Sequence, residues 1–96
     1  MSEALESAAA ALRAKISGEG IDETVKFEIE DEGAILIANG EVTTGDGDAD
    51  VTIRASLDTF REIFDGDLSP TAAYMSGRMA IEGDMGVAMK LSQILG

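Results

Sequence analysis

The chain has no cysteine, no histidine and no tryptophan, and only one proline and one tyrosine among its 96 residues. Without cysteine there is no disulfide and no thiolate nucleophile, which fits a reducing, cytoplasmic compartment. Without histidine as well, Ser–His–Asp and Cys–His arrangements are impossible. A zinc site of the usual nitrogen and sulfur ligands is excluded too. No catalytic residue, no metal and no cofactor are therefore expected. Basic residues are scarce, seven against nineteen acids, for a formal net charge of −12. Nucleic acid needs a basic face, and so does docking on an anionic membrane. The acidity serves solubility through self-repulsion, and it also fits a high-salt setting. No apolar run reaches the roughly eighteen residues of a membrane span. Met1–Ile16 lacks the basic start and continuous apolar stretch of a secretory signal. Stable membrane insertion is not expected.

An apolar fraction of 45% is nevertheless that of a folded protein, and the length suits one domain, residues 1–96. Ser2 is placed to cap a first helix in which Leu5, Ala9, Leu12 and Ile16 recur at helical spacing, with Gly18 and Gly20 as its stop. Val25–Glu30 alternates strictly and reads as a half-buried strand with Val25, Phe27 and Ile29 facing inward. Ala34–Ala38 pairs with it as a hairpin. Asn39-Gly40 turns the chain into a short strand at Glu41–Thr44, and a polar loop follows before a further alternating strand ending at Ala55. Ser56 is placed to cap a helix over Leu57–Phe64. Ser69-Pro70 pairs a cap with proline at the first helical position, opening a short helix that Gly77 closes. Met79 and Ile81 share one face of a last strand, and Asp84 caps a final helix, Met85–Leu95. That helix carries apolar residues on two sides, Met85, Met89 and Leu95 on one and Val87, Leu91 and Ile94 on the other, so burial on more than one side is expected. The sum is an α+β domain: a mostly antiparallel five-stranded sheet with helices on one face.

The last third is unlike the rest. Gly66–Gly96 holds all four internal methionines (Met75, Met79, Met85, Met89) and is nearly neutral, whereas the first 65 residues carry almost all of the negative charge. Methionine is flexible and polarizable and fills irregular apolar space. The cluster Phe60, Ile63, Phe64, Tyr74, Met75, Met79, Ile81, Met85 and Met89 reads either as ordinary core or as the lining of a ligand cavity.

Other motifs fail on their own chemistry. Asp46-Gly47-Asp48-Ala49-Asp50 opens like a calcium loop, but Val51 stands where glycine is needed and Leu57 where a bidentate glutamate is needed. Gly45-Asp46-Gly47 lacks the following Gly-Lys-Ser/Thr of a phosphate loop. Glu82 and Asp84 flank Gly83 like a carboxylate pair, yet Asp84 is already accounted for as a helix cap.

Gly66-Asp67-Leu68-Ser69-Pro70, Ala73-Tyr74-Met75-Ser76-Gly77-Arg78-Met79, Ile81-Glu82-Gly83-Asp84-Met85 and Ala88-Met89-Lys90-Leu91 together resemble the sterol carrier protein type 2 domain family at its fixed spacing. The upstream order agrees: a helix, a hairpin, an Ala-Asp-Val-Thr-Ile strand and a Phe-bearing helix. The resemblance implies a non-enzymatic intracellular lipid-binding or lipid-transfer domain with a hydrophobic tunnel between sheet and helices. Members of that family bind fatty acids, acyl-CoA, phospholipids or sterols; for this short acidic chain, which departs from the basic eukaryotic carriers, a fatty acyl chain, acyl-CoA or phospholipid is expected rather than a sterol. Phe60, Phe64, Tyr74, Met75, Met79, Ile81, Met85 and Met89 stand where the lining would be. Recognition of an acyl-CoA head group would fall to Arg54, Arg78 or Lys90. A monomer or weak homodimer is expected. The alternative is a protein-interaction or dimerisation module of the same fold with its tunnel filled.

Size constrains the tunnel. A pocket of about 300 Å³ left empty costs about 7 kcal/mol, against a total stability of about 5–15 kcal/mol. Lipid, collapsing side chains or water must occupy it. A buried chain of about twelve methylenes contributes about 10 kcal/mol gross, before association costs reduce it.

Overall fold

A computed structural model describes residues 3–16 and 23–95. Its elements run α1 (Glu3–Ile16), β1 (Val25–Ile29), β2 (Gly33–Ala38), β3 (Glu41–Thr44), β4 (Val51–Ala55), α2 (Leu57–Phe64), α3 (Pro70–Met75), β5 (Met79–Gly83) and α4 (Met85–Leu95). The cap expected at Ser2 and the stop expected at Gly18 and Gly20 lie outside the described residues, as do the side-chain faces assigned to Ile94 and Leu95.

The five strands lie in the order β3-β2-β1-β4-β5. Asn39 (φ 54°) and Gly40 (φ 81°) both take positive φ, as the tight turn between β2 and β3 requires. Along the sheet β1 pairs antiparallel with β2 and β2 with β3, while β4 pairs antiparallel with β5. The central pairing of β1 with β4 is parallel, Phe27 opposite Ile53. The sheet is therefore mixed, which corrects the expectation of a mostly antiparallel one.

The loop between β3 and β4 explains the difference. β3 ends at the opposite end of the sheet from where β4 begins, and β4 lies three strand spacings away, about 14 Å. Residues 45–50, nearly extended, reach about 20 Å. They cross the outer face of the sheet. A Cβ on Gly47 would fall 2.8 Å from Leu36 Cδ1, and Asp46 Oδ1 accepts a bond from Lys26 Nζ at 2.8 Å. Leu36 and Lys26 both point away from the helices, since their strand neighbours point inward. A chain that crosses on the outside leaves the inner face to the helices.

That inner face is apolar in register. Val25, Ile37, Val42 and Val51 form one row, Phe27, Ile35, Ile53 and Ile81 the next, and Ile29, Ala55 and Met79 a third. All but Ile81 are buried. Helix α1 covers the β2–β3 half with Leu5, Ala8, Ala9, Leu12 and Ile16, its alanines allowing close approach. Arg13 Nε and Nη2 donate to the Val42 carbonyl at 3.2 and 2.9 Å, fixing α1 to the edge strand. Helix α4 packs on β4 and β5, α3 on β5, and α2 against α1.

Candidate functional site

Helix α2 starts where Ser56 Oγ accepts the Thr59 N–H at 3.2 Å. This start sets Phe60 over the middle of the sheet. Its ring meets Phe27 edge to face, centroids 5.4 Å apart at 71°, and stacks on Phe64 at 5.8 Å. Helix α3 starts at Ser69, whose Oγ accepts the Ala72 N–H at 3.1 Å, with Pro70 needing no donor at the first position. It stops at Gly77, whose φ of 81° lets the Arg78 N–H turn back to the Ala73 carbonyl at 2.9 Å. Helix α4 starts at Asp84, whose Oδ1 accepts from Gly86 N at 2.9 Å and Val87 N at 3.4 Å.

Between these three helices and the β4–β5 half of the sheet lies an apolar pocket of about 390 Å³. Phe27, Ile53, Phe60, Ile63 and Leu91 are buried and form its depth. Pro70, Met79, Ile81 and Ala88 extend the wall. Tyr74, Met85 and Met89 line it too but are 45%, 45% and 65% exposed, so they mark its mouth. Thr71 and Gln93, with the Tyr74 hydroxyl, are the polar side chains of the lining, and none is charged.

Of the eight candidate residues, Phe60, Tyr74, Met79, Ile81, Met85 and Met89 come together around this pocket. Phe64 does not. It turns toward α1 and lines a separate cleft of about 90 Å³ with Ala4, Ser7, Ala8 and Ala11. Met75 points into solvent, 80% exposed, because α3 covers the sheet with Ala73 instead. Ile63, part of the apolar cluster though not of the eight, lines the pocket too, whereas Phe27, Ile53, Pro70, Thr71, Ala88, Leu91 and Gln93 were not singled out as lining. Phe27 and Ile53 could have been added from strand alternation, since they share the inward row of Ile81. Ala88 lies one helical turn beyond Met85. The expected burial of α4 on two sides is corrected as well. Val87, Ala88 and Leu91 are buried, while the Met85–Met89 stripe lies at the pocket mouth with solvent beyond it.

The three cations considered for a head group are engaged elsewhere. Arg54 projects from the outer face of the sheet, where Nη2 donates to Glu28 at 2.6 Å and Nη1 lies 3.7 Å from Glu82. Arg78 pairs with Glu62 on α2, and Lys90 with Glu23 at 3.2 Å. The hydrogen bonds they donate to Glu28 and Glu62 hold the guanidiniums of Arg54 and Arg78 above their ordinary pKa. Glu82 and Asp84 serve separate tasks, the first beside Arg54 and the second as the α4 cap. In the loop after β3, Asp46 pairs with Lys26 and Asp50 accepts the Thr24 N–H at 2.9 Å. Among the described residues no group of three acids is close enough to hold a metal ion. Among the same residues no helix is long and apolar enough to cross a membrane.

A sealed, empty void of this volume would cost about 9 kcal/mol. The open mouth lowers that cost by admitting water, and the methionines there can adjust to what enters.

The sequence profile of the SCP-2 sterol transfer family matches residues 2–96. Hydroxysteroid dehydrogenase-like protein 2 of Xenopus tropicalis is 42% identical over 64 residues, covering 62% of this chain and 15% of that protein. The chain thus spans a small part of the curated relatives it matches. Among solved structures, sterol carrier protein 2 like 2 from Aedes aegypti superposes with a TM-score of 0.79 at 19% identity, over 94% of both chains. Sterol carrier protein 2 from Aedes aegypti, in complex with the C16 fatty acid palmitate, superposes with a TM-score of 0.78 at 18% identity, over 100% of this chain and 97% of that one.

Proposed function

The chain belongs to the SCP-2 sterol transfer family, and we propose that it is a non-enzymatic carrier that binds and transfers a lipid by its acyl chain. The observation that carries this reading is the apolar pocket of about 390 Å³ beneath α2, α3 and α4. The site is Phe60, Tyr74, Met79, Ile81, Met85 and Met89, deepened by Phe27, Ile53 and Leu91. An occupied pocket is a hydrophobic tunnel from the methionine mouth to the Phe27–Phe60 pair. The palmitate held by the Aedes aegypti protein, which has the same fold, supports a long acyl chain as the buried part. The pocket supplies shape and apolar surface rather than reactive groups, which favours carriage over turnover. A fatty acyl chain, acyl-CoA or phospholipid suits it better than a sterol, since the methionines at its mouth are unbranched and adaptable.

Titration with a fluorescent fatty acyl probe tests the reading. Saturable binding at micromolar concentration, displaced by unlabelled lipid, is expected. A probe that does not bind overturns it.

One observation favours a second reading, a surface for another protein or a second copy. Tyr74, Met75, Met85 and Met89 are all exposed apolar groups on the same third of the chain. Sedimentation equilibrium separates the readings, because a carrier stays monomeric or weakly dimeric at the concentrations where it binds lipid.

A further inference from the structure

Accepting that the pocket holds a lipid, we infer that Met85 and Met89 form a reversible oxidation site: hydrogen peroxide converts their thioethers to sulfoxides, the oxidised mouth releases the acyl chain, and a bound chain in turn shields both sulfurs.

The inference starts from which side chains can be oxidised. The chain has no cysteine, histidine or tryptophan, so thioethers and a single phenol carry its oxidisable chemistry. With no thiol to react first, a methionine sulfur is what a two-electron oxidant meets. The four internal methionines and the one tyrosine all fall within residues 74–89. Of these, Tyr74, Met79, Met85 and Met89 line the pocket. Apart from Met1, the reactive atoms are thus gathered on and beside the lipid site instead of being spread through the fold.

The second observation is access. Met85 and Met89 are exposed, while Met79 is buried on β5 opposite Ala55. The two exposed sulfurs stand four residues apart on α4, so one face of that helix presents both at the mouth. Met75 is exposed as well but lies outside the pocket.

The third is what oxidation changes. A sulfur lone pair attacks one oxygen of hydrogen peroxide, the O–O bond breaks and an S–O bond forms. The hydroxide that leaves takes the remaining proton and becomes water. The sulfur loses two electrons and the peroxide gains them. A flexible apolar side chain becomes a polar one. The sulfoxide oxygen holds water, and laying an acyl chain over it costs that hydration. The frame beneath is left alone. Helix α4 is held by the Asp84 cap and by buried Val87, Ala88 and Leu91, none of which reacts with peroxide. Binding is lost while the fold stays, and reduction of the sulfoxides restores it. Because oxidation weakens lipid binding, bound lipid equally disfavours the oxidised form.

Hydrogen peroxide treatment at neutral pH makes the test, with peptide mass spectrometry assigning each added oxygen. Met75, Met85 and Met89 should oxidise at least about tenfold faster than Met79. Once Met85 and Met89 are sulfoxides, a fluorescent fatty acyl probe should bind about tenfold more weakly, with the thermal midpoint moved by about 2 °C or less. Methionine sulfoxide reductases acting on both epimers should restore the affinity. Saturating palmitate should slow oxidation of Met85 and Met89 about threefold or more and leave Met75 unchanged. Met75→Leu should keep the peroxide response. Met85→Leu with Met89→Leu should lose it, whatever the starting affinity of that variant. An unchanged affinity after both sulfurs are oxidised overturns the site while leaving lipid binding intact. So does a loss that persists in the double leucine variant, or one that comes with unfolding. If the probe does not bind the unoxidised protein, the lipid-binding reading itself fails and the site falls with it.

Discussion

The Phe27 and Phe60 rings meet edge to face with centroids 5.4 Å apart, joining the central strand of the sheet to α2 at the depth of the pocket. Phe60 is therefore both core and lining. Phe60→Ala should destabilise the fold by about 3 kcal/mol, the low end for a buried phenylalanine, because the new space opens into the pocket instead of forming a sealed void. Urea unfolding checks this. The same variant should still bind an acyl probe, with its affinity changed by the wider depth. A loss above about 5 kcal/mol would mean that the pocket is closed when empty.

Gly83 ends β5 with φ 111°, where its backbone passes close against β4. A Cβ there would run into the Asp50 carbonyl oxygen and lie 2.9 Å from Val51 Cα. That same carbonyl accepts the Asp84 N–H at 2.9 Å, immediately before the α4 cap. Gly83→Ala should cost about 2–4 kcal/mol from strain and displaced backbone. It should also loosen α4, which hydrogen exchange of the Gly86 and Val87 amides would register.

Strand alternation and helix caps made most of this fold readable. The inward residues Val25, Phe27 and Ile29 and the caps Ser56, Ser69 and Asp84 all follow from local chemistry, and the structure has each in place. The parallel pairing of β1 with β4 was not readable, because alternation puts the same residues inward whichever way a neighbouring strand runs. Only the crossing of residues 45–50 over Leu36 decides it, and that is a long-range contact. The site was legible in part for a similar reason. Tyr74 and Met75 are adjacent on a six-residue helix, too short for periodicity to say which one faces the sheet. Phe64 satisfies the apolar stripe of α2 equally well from the α1 side.

Met85 and Met89 are exposed at the mouth, so replacing them touches function more than stability. Met85→Gln with Met89→Gln should move the thermal midpoint by about 2 °C or less. Binding of a fatty acyl probe should weaken about tenfold, because two apolar contacts of the chain are lost. If the double variant binds unchanged but a dimer seen in the parent disappears, the methionines serve an interface between copies.

Lys26 and Asp46 tie the crossing loop to the outer face of the sheet at 2.8 Å. The hydrogen bond from Lys26 holds the Asp46 carboxyl below its ordinary pKa. A carboxyl depressed in the folded state stabilises above its unfolded pKa, and that contribution disappears as pH falls through the folded value. The loop should therefore stay anchored at neutral pH and detach only below the ordinary aspartate range, near 3.9. Carbon NMR titration should place Asp46 below the exposed aspartates, and Lys26→Met should return it to their range.

The most direct test of lipid carriage uses the methionines themselves. Methyl-labelled methionine NMR during titration with a C16 lipid reads Met79, Met85 and Met89, which line the pocket, against Met75, which stands outside it in solvent. The carrier reading predicts saturable shifts of the first three signals with Met75 nearly still. No shift at saturating lipid, or equal shifts of all four, would contradict a lipid held in this pocket.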